Sequence, residues 1–491
     1  MTYFLLHAGQ PSAYRLIRRV GRLREYISAS AVRAGDYIIR FGDTPEADPA
    51  AGYVLNPQTA VVRTKSRITM SRFLRKVGIR VLSRDKSGME SGRIIRQYRI
   101  PVFDLTVATC FRADSGSAWI NQRIQRVQDH FREVSVDDDG ATTRAARLAT
   151  RTLHALGLSH GMVSVGMGQK GLLYVLDVSA APLLTGRMLE VYARAMEEFM
   201  DRDERSATQG IGPFLMGADV ELMLRNDAGK MVLASRYFTR RGRVGCDARS
   251  IQFDGKRLPL MELRPEPDAT PAGLFANLRD TMMEATRVIN RTQVQWRAGS
   301  MPFKRYWTGG HIHFSSVPFS GRLVRALDAY VGLPLMMVED PLTARERRPK
   351  YGFLGDVRHK NYGGFEYRTP ASFVVSPEVT MAAFNLAYLT AAHHRELPVF
   401  DLSNESTQFA FYNGRRDMLF PVVERIFAAL KTVSTYERYR EHIDPLFEMI
   451  RSGRTWDETV DVRAAWEIPL QRQVRMQARR NHRNQALRAR A

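Results

Sequence analysis

Cysteine is scarce in this sequence, since only Cys110 and Cys246 occur among 491 residues. They form no C-x-x-C motif and no disulfide framework, which excludes the small disulfide-rich secreted proteins and favours a reducing cytoplasm. The sequence also lacks any apolar run near the roughly 20 residues of a membrane-spanning helix, so we expect no membrane partner. Internal repeats and zinc-finger spacings are absent as well. The chain is too long for one ordinary core, so we expect two domains or more.

Acidic residues are outnumbered, with 51 Asp and Glu against 73 Lys and Arg and a formal net charge of +22. Arginine is spread over the whole chain, which indicates a general bias or a preference for phosphates and acidic partners. The end of the chain differs, because it carries seven arginines from Arg472 onward and no acid. Two interpretations stay open for it: a frayed basic tail or surface helix, or a segment that contacts nucleic acid or another polyanion.

The apolar pattern predicts an α+β protein in two halves. In the first half strand-like runs alternate with helical ones, and the stretch "SAYRLIRRVGRLREYI" (Ser12–Ile27) is predicted as one amphipathic helix. The stretch "EEFMDRDERSATQGIGP" is a charged helix end followed by Ser, Gly and Pro, which marks a boundary. Strands with polar pairs follow, and then helices. The predicted domains are 1–205 and 206–455, with a basic tail at 456–491.

Four predicted strands of the second half share one feature. Each carries two polar residues two positions apart: Asp219 with Glu221, Glu262 with Arg264, His311 with His313, and Glu366 with Arg368. Side chains at i and i+2 of a strand point to the same face of the sheet. Any one pair alone is explained by hydrogen-bonded histidines, a solvated edge or a surface ion pair. Together the four pairs predict one continuous charged sheet face.

The acids of this face predict a metal site. Crowding Asp219, Glu221, Glu262 and Glu366 costs several kcal/mol unless cations neutralise them. Several carboxylates with one or two imidazoles favour Mg²⁺ or Mn²⁺ over Zn²⁺. A zinc site would need a third histidine or a thiolate, and neither His359 nor Cys246 has a convincing spacing.

A basic stretch leads into the last of these strands. The segment "ARERRPKYGFLGDVRHKNYGGFEYR" holds Arg345, Arg347, Arg348, Arg358 and Lys360 among Gly-containing turns. Arginine forks match phosphate oxygens in pairs, and metals held by carboxylates opposite arginines suit a nucleoside triphosphate. The alternative is a solvated basic loop. On the phosphate interpretation the segment also covers the site, since its glycines permit movement.

The order of motifs resembles a known family. The chain reads G-x-D-x-E, E-L-R-P, G-G-H-I-H-F-S and then R…Y-G…G-D-x-R…G-x-F-E-Y-R-x-P-x-S between about Gly212 and Pro377. This series is similar to the glutamine-synthetase-like amidoligases, and more closely to their phage-associated carboxylate–amine ligase branch. The resemblance implies an antiparallel-sheet domain followed by C-terminal helices, with two or three Mg²⁺ ions and ATP on the acidic face of the sheet.

The resemblance also implies roles for individual residues. The implied metal ligands are Asp219, Glu221, Glu262, His311 and Glu366. The implied catalytic side chains are Arg368 and Arg358 as phosphate contacts, His313 facing the substrate or a supporting carboxylate, and Arg264. The implied cofactor contacts are Arg345, Arg348, Lys360 and Arg358. Asp219 stands where the family pattern has Glu, and Ala248 follows Asp247 where Gly is usual.

The first half resembles the ATP-grasp ligases. The stretches "GYVLNPQTAVVRTKSRITMSRFLRKVGI", "YRIPVFDLTV" and "LGLSHGMVSVGMGQKGLLYVLDVSAAPLL" are similar to their N-terminal helices, central strand and metal-binding hairpin. The ligand positions of that hairpin hold Ser164, Asp177 and Ser179 here. Both a degenerate, substrate-presenting half and a working second ligase stay open.

We therefore predict an ATP-dependent carboxylate–amine ligase that forms an amide or peptide bond through an acyl phosphate. Its substrates would be small-molecule or peptide carboxylates and amines. The alternative is an inactive phage-related structural or polyanion-binding protein that retains the ligase fold.

Overall fold

The computed structural model describes residues 1–82, 94–114, 117–120, 123–126, 130–168, 170–210, 212–251, 254–290, 293–361 and 363–469. The chain forms two compact units. The first unit comprises Met1–Gly210 together with Asp401–Phe409, and the second comprises Ile211–Phe400 and the chain from Ala410 onward. The basic stretch from Arg472 lies outside the described residues. No helix in the described part of the chain is both long enough and apolar enough to cross a membrane.

The first unit is built on two main sheets. Its strands are β1 (Tyr3–His7), β2 (Leu23–Glu25), β3 (Tyr37–Phe41), β4 (Tyr53–Leu55), β5 (Ile94–Phe103), β6 (Thr106–Val107), β7 (Cys110–Asp114), β8 (Ser117–Ile120), β9 (Arg123–Arg126), β10 (Arg132–Val134), β11 (Gly161–Gly168) and β12 (Leu173–Ser179). Its helices are α1 (Pro11–Arg19), α2 (Gln58–Lys65), α3 (Arg67–Lys76), α4 (Gly140–Leu156) and α5 (Gly186–Gln209). The parallel sheet has the order β2-β1-β3-β4, and the antiparallel sheet has the order β10-β7-β5-β11-β12 with β6 beside β5. Strands β8 and β9 form a separate hairpin.

The prediction of one helix over Ser12–Ile27 was wrong in its second half. Helix α1 ends at Arg19, and the chain returns as β2, which pairs in parallel with β1. Gly21 separates the two elements and is unfavourable inside a helix. Leu23 is buried in the sheet, so tertiary burial of this strand outweighs the local helical pattern.

The second unit is an antiparallel sheet with helices. Its strands are β13 (Leu215–Asn226), β14 (Met231–Val232), β15 (Val244–Cys246), β16 (Leu260–Leu263), β17 (Val294–Arg297), β18 (Gly310–Ser315), β19 (Val357–His359) and β20 (Phe365–Tyr367). The helices after α5 are α6 (Pro271–Val288), α7 (Gly321–Leu327), α8 (Leu333–Val338), α9 (Pro341–Arg347), α10 (Pro377–His393), α11 (Glu405–Asn413), α12 (Arg416–Leu430), α13 (Arg440–Arg451) and α14 (Val462–Ala465). Of these, α11 begins in the first unit, which includes its residues up to Phe409. The strand order is β15-β16-β13-β18-β20-β19, and β14 and β17 pair with β13 beyond this path.

The register of this sheet separates an apolar face from a polar face. Val220 lies opposite Leu263, and Ile312 lies opposite Tyr367, with all four side chains fully buried. Residues on either side of these positions along each strand point the other way. The polar pairs therefore share the opposite face, in agreement with the pattern of the sequence.

Candidate active site on the antiparallel sheet

Directly paired residues place the predicted metal ligands side by side. Asp219 on β13 lies opposite His311 on β18, and Glu221 on β13 lies opposite Glu262 on β16. Glu366 on β20 lies opposite His313. Paired residues of a sheet have side chains on the same face, so the structure brings these acids and imidazoles together. All five predicted ligands are buried.

One cluster, which we call the histidine group, comprises Asp219, His311, His313 and Glu366. The Nδ1 atom of His311 lies 3.1 Å from Oε1 of Glu366 and 3.9 Å from Oδ2 of Asp219. The Nε2 atom of His313 lies 2.6 Å from Oδ1 of Asp219. One ligand atom each from Asp219, His313 and Glu366 can be chosen so that all lie within 4.8 Å of one another. This spacing allows a single ion to bind all three.

A second cluster, the carboxylate group, comprises Glu221, Asp247 and Glu262. One oxygen from each of these three acids lies within 4.8 Å of the others. Glu221 is held in place by the backbone N–H of Gly309, which donates to its Oε2 atom at 2.8 Å. Asp247 follows β15 directly, and Gly245 of that strand lies opposite Glu262. The structure thus adds Asp247 to the predicted acids.

Burial and mutual repulsion act differently on the acids. Burial, the charge of Asp219 and the other neighbouring acids raise the pKa of Glu262 to about 7, although Arg264 counteracts them. Burial also acts to raise the pKa of Glu366, but His311, Arg368 and Arg358 outweigh it and lower that pKa to about 2. The two histidines beside Asp219 likewise overcome burial and lower its pKa. Within the carboxylate group, burial acts to raise the pKa of Asp247, but Arg249 outweighs it and lowers that pKa. Glu262 is therefore an acid of this group whose negative charge an added cation would stabilise.

Tyr351 connects the two groups. Its hydroxyl donates to Oε1 of Glu221 at 3.1 Å and lies 2.6 Å from Nε2 of His311. Since the hydroxyl hydrogen goes to Glu221, the His311 Nε2–H donates to the tyrosine oxygen. In a neutral imidazole the Nδ1 lone pair then faces Asp219 and Glu366, as required of a metal ligand. Burial raises the pKa of Tyr351 well above its ordinary value, so the hydroxyl stays protonated.

Five basic side chains bind these acids among the described residues. Arg358, Lys360 and Arg368 surround Glu366, with nitrogen–oxygen distances of 2.8, 2.7 and 3.1 Å. Arg264 pairs with Glu262, and Arg249 bridges Glu221 and Asp247. Of the predicted phosphate contacts, Arg358, Lys360 and Arg368 therefore lie at the site.

Two predicted cofactor contacts lie elsewhere. Arg345 is exposed on α9, and its side chain has no hydrogen bond or ion pair with another described residue. Arg348 is buried, pairs with Glu339 at 2.7 Å and donates to the carbonyl of Phe411 at 2.9 Å. Since its guanidinium binds these partners, Arg348 supports the fold of this helix rather than the acidic face.

The segment predicted to cover the site is anchored at Arg347. The Arg347 guanidinium donates to the backbone carbonyls of Thr308, Thr369 and Pro370 at 2.7 to 2.9 Å. It also lies 5.0 Å from the centre of the Tyr351 ring. These contacts hold Arg347 in place beside the site, so we do not expect this part of the segment to move freely.

Three residues of the site were not predicted from the sequence: Asp247, Arg249 and Tyr351. All three lie outside the strands with paired polar residues. A charged D-x-R directly after the short strand β15 was the available signal for Asp247 and Arg249. Tyr351 had no periodicity to mark it.

The chemistry of the donors fits Mg²⁺ or Mn²⁺. His311 Nδ1, His313 Nε2 and Glu366 Oε1 are buried atoms of the histidine group that make no hydrogen bond of good geometry, although each lies within 3.1 Å of a charged atom of the site. The other donors are carboxylate oxygens, which divalent hard cations prefer. Cys246 is not among them, because its Sγ atom donates to the carbonyl of Phe238 at 3.3 Å.

The hairpin positions of the first unit, where the resemblance implies metal ligands, lie on strands β11 and β12. Ser164 on β11 lies opposite Asp177 on β12, and Ser179 lies opposite Met162. Asp177 is exposed. In the described part of this unit, no three His, Cys, Asp or Glu side chains come close enough to hold an ion.

Comparison with known proteins gives two results. Over its N-terminal part the chain is similar to D-alanine–D-alanine ligase from Bacillus anthracis, with 9% identity and a TM-score of 0.31 over 42% of this chain and 98% of that one. It is also similar to the ATP-grasp ligase PsnB complexed with a minimal precursor, with 10% identity and a TM-score of 0.29 over 41% and 99% of the two chains. The macrocyclase MdnC from Microcystis aeruginosa MRC, bound with precursor peptide MdnA, shares 8% identity at a TM-score of 0.29 over 40% and 99%. No curated protein matches the sequence.

The second result concerns the unit that carries the acidic face. The family described as phage phiEco32-like COOH.NH2 ligase-type 2 matches residues 216–468, which is 253 of the 491 residues. The match includes every residue of the histidine and carboxylate groups. The chain therefore belongs to the phage phiEco32-like COOH.NH2 ligase-type 2 family, a family of carboxylate–amine ligases.

Proposed function

We propose that the second unit joins a carboxylate to an amine at the expense of ATP, through an acyl phosphate, on the polar face of its sheet. The observation that carries the proposal is the pair of adjacent acidic groups, surrounded by guanidinium and ammonium groups that can face a polyphosphate. The histidine group and the carboxylate group would each hold a divalent cation, Mg²⁺ or Mn²⁺. When bound, such cations neutralise the phosphate oxygens and favour attack at the γ-phosphate.

The charge balance of the face supports an anionic substrate. Among the described residues, five carboxylates are opposed by the five basic groups bound to them, so the face is close to neutral when His311 and His313 are uncharged. Two divalent cations alone would make it strongly positive, and a triphosphate would restore the balance. Metal and nucleotide should therefore bind together more tightly than either binds alone.

The basic side chains at Glu366 have a role in transfer. Arg358, Lys360 and Arg368 are positioned by the Glu366 carboxylate, which fixes their direction before a substrate binds. Preorganised cations at a developing phosphoryl charge contribute to catalysis without a cost of reorganisation. We assign these three side chains to the transferred phosphate.

The reaction proposed is conventional group transfer. A substrate carboxylate oxygen attacks the γ-phosphorus, and the bond to ADP breaks, which leaves an acyl phosphate. The amine nitrogen then attacks the acyl carbon, phosphate departs, and the nitrogen loses a proton to the surrounding solvent or a base. The residues of the site bind and orient the reactants, and burial of the face limits hydrolysis of the acyl phosphate.

The first unit is proposed to present a substrate rather than to hold a second catalytic ATP. Its hairpin offers one carboxylate, Asp177, beside the hydroxyl of Ser164, and a serine hydroxyl is a poor substitute for a carboxylate at Mg²⁺. The solved structures of PsnB and MdnC have precursor peptides bound, which motivates peptides as one class of test substrate. A small amino acid is the other class.

An assay of ATP conversion to ADP with Mg²⁺, across a panel of amino acids and peptides, tests the proposal. We expect ADP formation that needs both an acid and an amine. Hydroxylamine in place of the amine should yield a hydroxamate, because it captures an acyl phosphate. Glu221→Gln should abolish both signals in a folded protein. ADP formation without any carboxylate, or full activity in Glu221→Gln, would refute the proposed site.

A further inference from the structure

The guanidinium of Arg249 occupies the carboxylate group. Its Nη2 atom binds Oε2 of Glu221, and its Nε atom donates to Oδ1 of Asp247 at 2.7 Å. Its Nη1 atom donates to the backbone carbonyl of Trp307 at 2.9 Å. Two of the three acids of this group are thus bridged by a cation that belongs to the chain.

We propose that Arg249 is a built-in competitor of the divalent cation at the carboxylate group, and that it transfers to the anionic substrate when the metal binds. This inference rests on the proposed function, since it requires a metal and an anion at this face. It assigns to Arg249 both a restraint on metal binding and a later contact with the phosphate or carboxylate of the substrate.

The oxygens of Glu221 show why metal and guanidinium exclude each other. Oε2 accepts from Arg249 and from the Gly309 N–H, while Oε1 accepts from the Tyr351 hydroxyl. Oδ1 of Asp247 accepts both the Nε–H and the backbone N–H of Arg249. A divalent cation bound between Glu221 and Asp247 would compete with the guanidinium for these carboxylates, and the two positive charges would repel each other at that distance.

Arg249 is more exposed than the neighbouring Arg264 and Arg347, so it can leave with the least disturbance of the core. Its side chain is 38% exposed, whereas Glu221 is only 1% exposed. Arg249 and Arg347 each lie 5.0 Å from the centre of the Tyr351 ring. Arg347 is fully buried and bound to three backbone carbonyls. Arg264 pairs with the third acid, Glu262, but it is anchored to the carbonyls of Gly242 and Cys246.

The two roles of Arg249 predict effects of opposite sign. Without the guanidinium, the carboxylate group is free and less positive, so metal alone should bind more tightly. The substrate anion would lose a cation, so nucleotide should bind more weakly. A residue that only supports the fold would weaken both when it is removed, and the two measurements together separate these explanations.

The test is calorimetry on the full chain with MgCl₂ alone, and then with a non-hydrolysable ATP analogue at saturating Mg²⁺. For Arg249→Met we expect the Kd for Mg²⁺ to fall about tenfold and the Kd for the analogue to rise about tenfold. Arg249→Lys keeps the charge but lacks the fork that bridges two acids, so both values should lie between those of Arg249→Met and the unsubstituted protein.

The matched control is Arg257→Met. It removes the same charge from a neighbouring stretch, where Arg257 pairs with Asp254. Both dissociation constants should stay within about twofold of those of the unsubstituted protein.

Weaker or unchanged Mg²⁺ binding by a folded Arg249→Met would overturn the inference, and so would equal tightening by Arg257→Met. If Arg249→Met fails to fold, Arg249→Lys decides, and unchanged Mg²⁺ affinity in that variant would equally overturn it. An unsubstituted protein that binds neither Mg²⁺ nor the analogue would instead refute the proposed function, on which the inference rests.

Discussion

Neutralising Glu262 should stabilise the metal-free protein, whereas neutralising Glu366 should destabilise it. The two acids lie on the same polar face and are both buried. Burial and the charges of Asp219, Glu221 and Asp247 raise the pKa of Glu262 to about 7. The pKa of Glu366 is lowered to about 2, because His311 and the surrounding basic side chains outweigh its burial. Glutamine keeps the size of each side chain and removes only the charge.

The magnitude follows from the difference between each pKa and its ordinary value of 4.5. For ionised Glu262 at pH 8 the difference corresponds to a cost of about 3 kcal/mol, since each pKa unit is about 1.4 kcal/mol. Allowing for the new contacts of the amide, we expect Glu262→Gln to raise the free energy of unfolding by about 1–3 kcal/mol. A domain of this size shifts its Tm by roughly 2–4 °C per kcal/mol, so the Tm should rise by roughly 2–12 °C. Glu366→Gln should lower the free energy of unfolding by a similar amount.

The pH dependence has a defined sign. Between pH 4.5 and 7 the folded protein holds a proton on Glu262 that the unfolded chain has lost, so this acid makes stability fall as the pH rises through that window. The Glu262→Gln variant lacks this contribution. Its advantage over the unsubstituted protein should therefore grow from pH 5 to pH 8.

Thermal denaturation in EDTA, followed by titration with Mg²⁺, measures both properties. Mg²⁺ should raise the Tm of the unsubstituted protein and have much less effect on Glu262→Gln. A Glu262→Gln variant that melts below the unsubstituted protein in EDTA would show that the acid is well compensated without metal. An undiminished response to Mg²⁺ would show that Glu262 is not a ligand. Either result would refute the reasoning.

Three further predictions concern other parts of the chain. His311→Ala should weaken both Mg²⁺ binding and turnover, because the resemblance implies that His311 is the metal ligand. His313→Ala should lower turnover and leave Mg²⁺-dependent nucleotide binding mostly intact; equal or greater loss of metal in calorimetry would instead favour Asp219, His313 and Glu366 as the ligands. One ATP should bind per chain at sub-millimolar concentration, and Asp177→Ala should not change this stoichiometry; a second, Asp177-dependent site would show a working ATP site in the first unit. Burial lowers the pKa of His160 to about 3 from 6.5, so the unfolded chain takes up a proton below pH 6.5 and stability falls on acidification. The stability advantage over His160→Gln should shrink by about 2 kcal/mol from pH 7 to pH 5 in denaturant unfolding, and a constant difference would contradict this assignment.

Part of the candidate site could be predicted from the local spacing of residues along the chain. The i, i+2 spacing of Asp219 with Glu221, and of His311 with His313, placed each pair on one face, because the side chains of a strand alternate with a period of two. That all pairs share the same face follows from the register, in which Glu221 lies opposite Glu262. The sequence made this arrangement a reasonable hypothesis, since a mixed arrangement would bury isolated charges.

The basic residues were harder to sort by sequence alone. Arg345, Arg347 and Arg348 lie within four positions of one another on or beside α9, yet one is exposed, one supports Tyr351 and one pairs with Glu339. Successive residues of a helix point about 100° apart, so proximity in sequence does not place them at one site. The predicted phosphate role suited the composition of the segment but not the geometry of these three.

Alternation of polar and apolar residues, which is a local property, by itself placed the two polar residues of each of four strands on one side of that strand. The helix predicted over Ser12–Ile27 failed where a strand could be buried beside β1, which is a contact between distant residues. No pattern in the sequence predicted that Asp401–Phe409 belongs to the first unit, because the residues it contacts are far away in the chain. There the Oγ atom of Ser403 accepts a hydrogen bond from Arg63 at 2.9 Å. Only the tertiary structure brought Asp247, Arg249 and Tyr351 to the acids, because loop residues have no period and their positions depend on the packing of the elements that they join.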